Sequence, residues 1–338
     1  MSSWDLLRDL PVEIETVSSE TLTRQTLRFV RKTTVLHLSG RGEEGLGEDV
    51  TYDSAEHDRF PQLALEGSWT LESFSGHVGG LELFATAPEQ HAALDYRRWA
   101  VESAALDLAL RQAGTTLAAA LGREARPLAF VSSNRDWRGW RALYPQLRFK
   151  LDPTADWTSE DFAELAATDA VEVADLKGAY HGTVVDNPAD PELYRRVIEA
   201  FPRSWIEDPD LTPETDALLE PHRDRVTWDA PIHSWADVEA LPFAPRCLNC
   251  KPSRFGALWR LFEFYDRCAE QGIALYGGGQ FELGVGRRQI QLLAALFHPD
   301  GWNDVAPAEF NDPEPAPGLP ESPLALVLEP GFRAHVNA

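Results

Sequence analysis

The sequence predicts an α/β protein. Its expected core is a (β/α) barrel of about eight units over residues 101–310. An α+β capping domain over 1–100 and a C-terminal tail, 311–338, returning to that domain complete it. Three observations lead to this fold. From about residue 127, short apolar runs alternate with helix-length segments, the mark of repeated βα units and a parallel sheet. The stretch available is long enough for the roughly 200–250 residues of a barrel. Ionisable residues also recur at the ends of successive runs, where a barrel gathers its functional side chains.

Taken in order, residues 12–17 and 26–39 read as extended, with β-branched residues in TTVLHL. Gly40, Gly42 and Gly45 then spell GxGxxG. A dinucleotide fingerprint must open a helix, however, and here two glutamates lie in the loop and GEDVTY continues as strand. A hairpin with glycine at its positive-φ positions is the expected structure. Segments 18–25 and 52–60 read as loops of the capping domain. Residues 94–113 form a helix on an Ala/Leu stripe, with Gly114 at its end. The barrel runs are PLAFVSS (127–133), LRFKLDP (147–153), VEVADLKG (171–178), SWIEDP (204–209), VTWDAP (226–231), CLNCKP (247–252) and IALYGGG (273–279), with an eighth near 303–310. Helix-length stretches such as PELYRRVIEAF and RFGALWRLFEFYDRCAEQG separate them. After residue 311 the chain is proline-rich, then closes with LALVLEPGF, which could add a strand to the cap.

A length of 338 residues suggests about two domains, and 43% hydrophobic residues supply a sizeable core. The 31 basic against 54 acidic residues give a net charge of −23, which excludes nucleic-acid and anionic-membrane partners. No run approaches the ~20 apolar residues of a membrane span. The first residues lack the basic and apolar regions of a signal peptide, so a cytoplasmic protein is expected. Cys247, Cys250 and Cys268 are too few for a disulfide framework, and the CxxC lies inside a strand-like run, so they are read as structural. Lysine is scarce: Lys32, Lys150, Lys177 and Lys251 stand among 31 basic residues. Arginine serves wherever a cation suffices, so the few lysines need a local reason, and lysine can become a base once its pKa falls.

The ends of the second to sixth barrel runs read Lys150, Asp175, Glu207, Asp229 and Lys251. Strand alternation puts Asp175 on one face with Val173 and Val171, Asp229 with Thr227 and Lys251 with Asn249. Trp228, Ala174 and Leu248 then point toward the helices. Three carboxylates converging on one mouth repel each other unless a cation joins them. Oxygen ligands without Cys or His suggest Mg²⁺, with Mn²⁺ as a substitute. Lysines on the flanking strands, partly desolvated beside a cation, would have lowered pKa values and could take a proton. A metal on a carboxylate with lysine near its α-carbon is a device for removing an α-proton.

These pieces together resemble the enolase superfamily, in its muconate-lactonizing and o-succinylbenzoate-synthase-like branch (mandelate racemase/muconate lactonizing enzyme). The matching segments are GLGE (45–48), RFK (148–150), the Asp175 strand, IEDP (206–209), the Asp229 strand, NCKPSRFG (249–256) and GGGQFELGVGRRQ (277–289). The resemblance implies a capped barrel and an isomerase or lyase. It also implies Asp175, Glu207 and Asp229 as metal ligands, Lys150 and Lys251 as acid/base residues on opposite faces of the substrate, and Glu282 near the substrate carboxylate or behind the groups that touch it. Two departures stand out. Arg148 replaces the first lysine of the usual Lys-x-Lys and would keep a positive charge beneath Lys150. Lys177 replaces the Asn of the usual Asp-x-Asn, and if the strand continued it would face the pocket.

The leading expectation is therefore Mg²⁺-dependent abstraction of a proton α to a carboxylate, followed by racemisation or epimerisation, cycloisomerisation or syn-elimination. Arg148, Lys177, Ser253, Arg254 and Glu282 are candidate substrate contacts, with Tyr180 and His181 behind them. The expected partner is a small carboxylate, and a homo-oligomer is possible. Two alternatives stay open. One is a Schiff-base aldolase using Lys150 or Lys251 as nucleophile, which leaves the carboxylates unexplained. The other is a non-catalytic metal- or metabolite-binding relative.

Overall fold

The computed structural model describes residues 2–26, 29–133, 136–183 and 185–336. Its N-terminal lobe begins with β1 (Pro11–Ile14), β2 (Thr16–Gln25), β3 (Val30–Gly40) and β4 (Glu43–Asp49). These are followed by α1 (Ser54–Asp58), β5 (Gly67–Thr70), α2 (Leu71–Val78) and α3 (Ala92–Gln112). β2, β3 and β4 form an antiparallel meander, and β1 pairs with β5. Arg41 and Gly42, at φ of 55° and 79°, make the two-residue β3–β4 turn, so the GxGxxG match is the expected hairpin. Two expectations are corrected. Segment 18–25 is part of β2, and 52–60 contains α1 rather than only loop. In the run expected to be extended, residues 27 and 28 lie outside the described residues.

The glycines of GLGE have a packing reason. A Cβ on Gly45 or Gly47 would collide with the Ala104 or Ala100 carbonyl oxygen, so bare backbone lets α3 lie directly on β4. The expected boundary at residue 100 falls within this continuous helix.

The barrel follows α4 (Leu117–Leu121). A bridged segment at residues 130–132, in the place of the first barrel strand, comes before α5 (Trp137–Leu143), β6 (Phe149–Leu151), α6 (Ser159–Thr168), β7 (Val171–Asp175), α7 (Pro191–Ala200) and β8 (Trp205–Glu207). Then come α8 (Pro213–Leu219), β9 (Val226–Thr227), α9 (Trp235–Glu239), β10 (Cys247–Cys250), α10 (Leu258–Gln271), β11 (Ala274–Gly277) and α11 (Val285–Phe297). β6 to β9 are parallel neighbours in chain order, as are β10 and β11. The Asn249 amide donates to the Trp228 carbonyl at 3.0 Å and joins the two sheets. Parallel bridges Ser132–Phe149, Gly278–Asp304 and Phe130–Asn303 close the ring. The eighth strand is thus the short segment at 303–304, at the start of the expected range. Helix entries are capped by Thr158, Asp190 and Thr212, with Pro191 and Pro213 in the first turn where a missing N–H costs nothing.

The alternation read from sequence holds for Val173 but not for Val171, which joins Ala174 in the large core because β7 carries an extra residue at Glu172. Val173, Cys247 and Tyr276 belong to strands that are not all neighbours, yet they form one small cluster, so they meet across the barrel interior. Ala174, Trp228 and Leu248 join the large core shared with the helices. All three cysteines are buried and free. The tail forms its own hairpin, β12 (Leu326–Glu329) with β13 (Arg333–Val336), rather than extending the cap sheet. It docks on α3, where Asp107 accepts the Phe332 amide at 2.8 Å and pairs with Arg333 at 2.7 Å.

Candidate active site

Successive strand ends β6 to β10 deliver Lys150, Asp175, Glu207, Asp229 and Lys251 to one end of the barrel, and all five are buried. The Lys150 ammonium lies between two carboxylates, 3.0 Å from Asp175 and in contact with Glu207. Glu207 also accepts from the Tyr276 hydroxyl and, at 3.4 Å, from the Asn249 amide. Across the mouth, Asp229 is 2.8 Å from Lys251 and 2.8 Å from Arg254, and accepts from Tyr180 at 3.3 Å. Gly278 makes room here, since a Cβ at that position would come within 2.8 Å of Lys251 Cε.

Asp208, beside Glu207, takes φ of 46° and accepts the Asp229 and Ala230 amides at 2.8 and 2.9 Å. It fixes the backbone that presents Asp229. Burial, followed by the charges of Asp229 and Asp175, pushes its carboxyl up to about 7. Burial and the nearby Asp175 also hold Glu207 well above the carboxylate range, despite Lys150. For Asp175 and Asp229 burial acts upward too. Lys150 and Lys177 outweigh it at Asp175, and Arg254 and Lys251 at Asp229, so both carboxyls stay low.

At the lysines, burial and the neighbouring carboxylates act in opposite directions. Burial lowers Lys150 and Lys251 as anticipated. However, Asp175, Glu207 and Asp229 around Lys150, and Asp229 beside Lys251, prevail and hold both ammonium groups above their ordinary value.

Several candidate substrate contacts lie elsewhere. Arg148 pairs with Glu172 at the entry end of β6, with its guanidinium 5.4 Å from the Trp302 ring. Glu172 is the extra residue where the β6–β7 register shifts, opposite Phe149 and Lys150. Arg148 is not the cation expected beneath Lys150. Arg254 reaches the site but is turned onto Asp229. Ser253 is buried in the short turn after Lys251. Glu282 accepts the Gln280 amide at 2.6 Å and faces Arg287 at 3.4 Å, outside the acidic cluster. The β7 strand stops at Asp175. Lys177 reaches the mouth through a left-handed turn, folding back onto that carboxylate. His181 is exposed. Asp208, Tyr276 and Asn249 were missed as site residues, although alternation placed Asn249 on the inner face and would have placed Tyr276 there too.

The donor set fits a divalent cation. Among the described residues, Asp175, Glu207 and Asp208 each bring a carboxylate oxygen within 4.8 Å of the others, with no thiol or imidazole among them. The buried Asn249 Oδ1 has no hydrogen-bond partner. Asp229, expected as third ligand, falls outside this closest set and is paired with Lys251 and Arg254.

A closed eight-stranded barrel with this cap and acidic mouth has the fold of the enolase superfamily. A dipeptide epimerase from Methylococcus capsulatus, solved with Mg ion, superposes with a TM-score of 0.69 at 21% identity, over 95% of this chain and 99% of that one. The muconate lactonizing enzyme of Pseudomonas putida gives 0.64 at 18% identity, over 96% and 97%. An unknown member of the enolase superfamily from Enterococcus faecalis gives 0.66 at 18%, over 96% and 95%. The o-succinylbenzoate synthase of Geobacillus kaustophilus is 28% identical over 224 residues, which span 60% of this chain and 57% of that curated relative. The chain belongs to the family described as domain of unknown function DUF8230, whose N-terminal model matches residues 5–120 and whose C-terminal model matches 124–312.

Proposed function

We propose that this protein is an enzyme that removes a proton α to the carboxylate of a small substrate, as an isomerase or lyase. The observation that carries this reading is the arrangement of the mouth, where buried lysines on β6 and just after β10 bracket the carboxylates of β7, β8 and the segment after β9. The relatives act within one reaction class, as an epimerase, a lactonizing enzyme and an o-succinylbenzoate synthase, which supports the same class here.

Asp175 and Glu207 would hold a divalent cation, Mg²⁺ or Mn²⁺, with Asp229 as the third ligand by family resemblance and Asp208 beside it. Such an ion supplies charge stabilisation to a carboxylate whose α-carbon becomes electron-rich. Lys150 and Lys251 act as base and acid from opposite sides. Their carboxylate partners keep them charged until that negative charge is otherwise balanced, after which burial alone favours the neutral amine. Tyr276 and Asn249 orient Glu207, and Asp208 orients Asp229.

Proton NMR in D₂O tests the reaction class. The protein with Mg²⁺ is incubated with pooled N-acyl amino acids, dipeptides, sugar acids and the succinylbenzoate precursor, against a matched EDTA sample. Metal-dependent loss of an α-proton signal is expected. A full set of unexchanged pools with metal bound would favour a non-catalytic binder. Borohydride trapping of a substrate on Lys150 or Lys251 would favour the aldolase chemistry.

A further inference from the structure

We infer that Lys177 is a tethered counter-ion that holds positive charge on Asp175 and competes with a divalent metal for that carboxylate. The inference rests on the metal reading above and concerns what this chain does differently at that site.

The backbone is built for the contact. Lys177 takes φ of 56°, a conformation that residues other than glycine, Asn and Asp seldom adopt. Its own amide donates to Asp175 Oδ1 at 3.1 Å, closing a tight turn two residues long. That turn bends the side chain back so that its ammonium bonds the other carboxylate oxygen, Asp175 Oδ2. Asp152 lies 3.7 Å from the same ammonium, and the Tyr180 ring lies beneath it at 5.3 Å. Gly178 completes the device, because a Cβ there would meet Asp210. A surface lysine needs none of this, and only 17% of this side chain is exposed.

The consequence follows from charge. Asp175 already shares Lys150 with Glu207, so Lys177 is its second cation. On the other side, Lys251 and Arg254 both lie on Asp229. The mouth is therefore balanced by its own side chains before a metal arrives. A divalent ion joining Asp175 must displace the Lys177 ammonium or lie beside it, and either course weakens binding.

The test is Mn²⁺ binding to the full chain, read by EPR of the free ion and repeated for Mg²⁺ by competition. The variants are Lys177→Asn and Lys177→Arg. Asparagine removes the charge and tolerates the left-handed turn, so the fold is kept, with circular dichroism as the check. Lys177→Asn should bind Mn²⁺ at least about tenfold more tightly than the wild type, and Lys177→Arg should stay within a few-fold of it. Equal or weaker binding by Lys177→Asn overturns the inference while leaving the metal site standing. So does equal tightening by Lys177→Arg, because charge would not be the cause. Absence of Mn²⁺ binding in all three proteins sinks the metal reading itself, and this inference with it.

Discussion

In the capping lobe, Arg97 and Asp49 are both fully buried and 2.8 Å apart. The remaining guanidinium nitrogens donate to the Leu83 and Glu56 carbonyls, and the Phe84 and Phe60 rings lie against its faces. Arg31 donates to the carbonyls of Val50, Thr51 and Gln280, and Glu48 accepts the amides of Leu283, Gly284 and Gly286. Each of these four buried charges has its own set of partners. The barrel mouth buries charge on a different plan. Two carboxylates share Lys150, two lysines share Asp175, Asp208 presses on Asp229, and the Asn249 oxygen has no partner. Complete pairing holds a fold together, and two such contacts, Arg31 and Glu48, lock the cap to the barrel loop 280–286. Shared and incomplete pairing leaves charges that a ligand can rearrange, which is what a site requires.

The sharpest way to break this comparison is to remove the lysines. Lys150→Ala and Lys251→Ala should each lower α-proton exchange by about 10²–10⁴-fold, measured by NMR in D₂O, while Mn²⁺ still binds. Exchange that survives both changes would reduce the mouth to a second structural charge cluster. The cap makes the opposite prediction. Arg97→Met leaves Asp49 buried without its partner, and urea unfolding should show a loss of about 3–5 kcal/mol, with exchange per folded molecule unchanged. A loss below about 1 kcal/mol would mean that the cap pair is no more structural than the mouth.

His298 sharpens the comparison with a titratable group in the barrel wall. Its Nδ1 lies 2.7 Å from Asn303 Oδ1, and burial pushes the imidazole down to about 4. A base whose folded pKa is depressed favours the fold while neutral. Its contribution is complete above about pH 6.5 and is lost as pH falls toward 4, amounting to about 3 kcal/mol. The pH 7 to pH 4 drop in unfolding free energy should shrink by about that amount in His298→Gln. An unchanged drop would assign acid sensitivity to the carboxylates instead.

By itself, the sequence determined the rhythm of the barrel, the parity of its strands and the row of ionisable strand ends. All of these are local properties: apolar run length, period two, and residue type at the end of a run. Four lysines in a chain rich in arginine marked Lys150 and Lys251 before any contact was known. Segment 18–25 was illegible as strand because β2 is a largely exposed edge whose polar residues carry no alternation, and only pairing with β3 holds it extended. Tertiary structure alone decided which charge meets which. Arg148, at the entry end of β6, met Glu172, the extra residue of a register shift in β7, and the positive-φ turn folded Lys177 onto Asp175. The return of the chain after β8 set Asp208 under Asp229, and α10's entry turn gave Asp229 its Arg254. Such pairings join residues far apart in sequence, and their partners are chosen by the closure of the barrel, which no window of the chain contains.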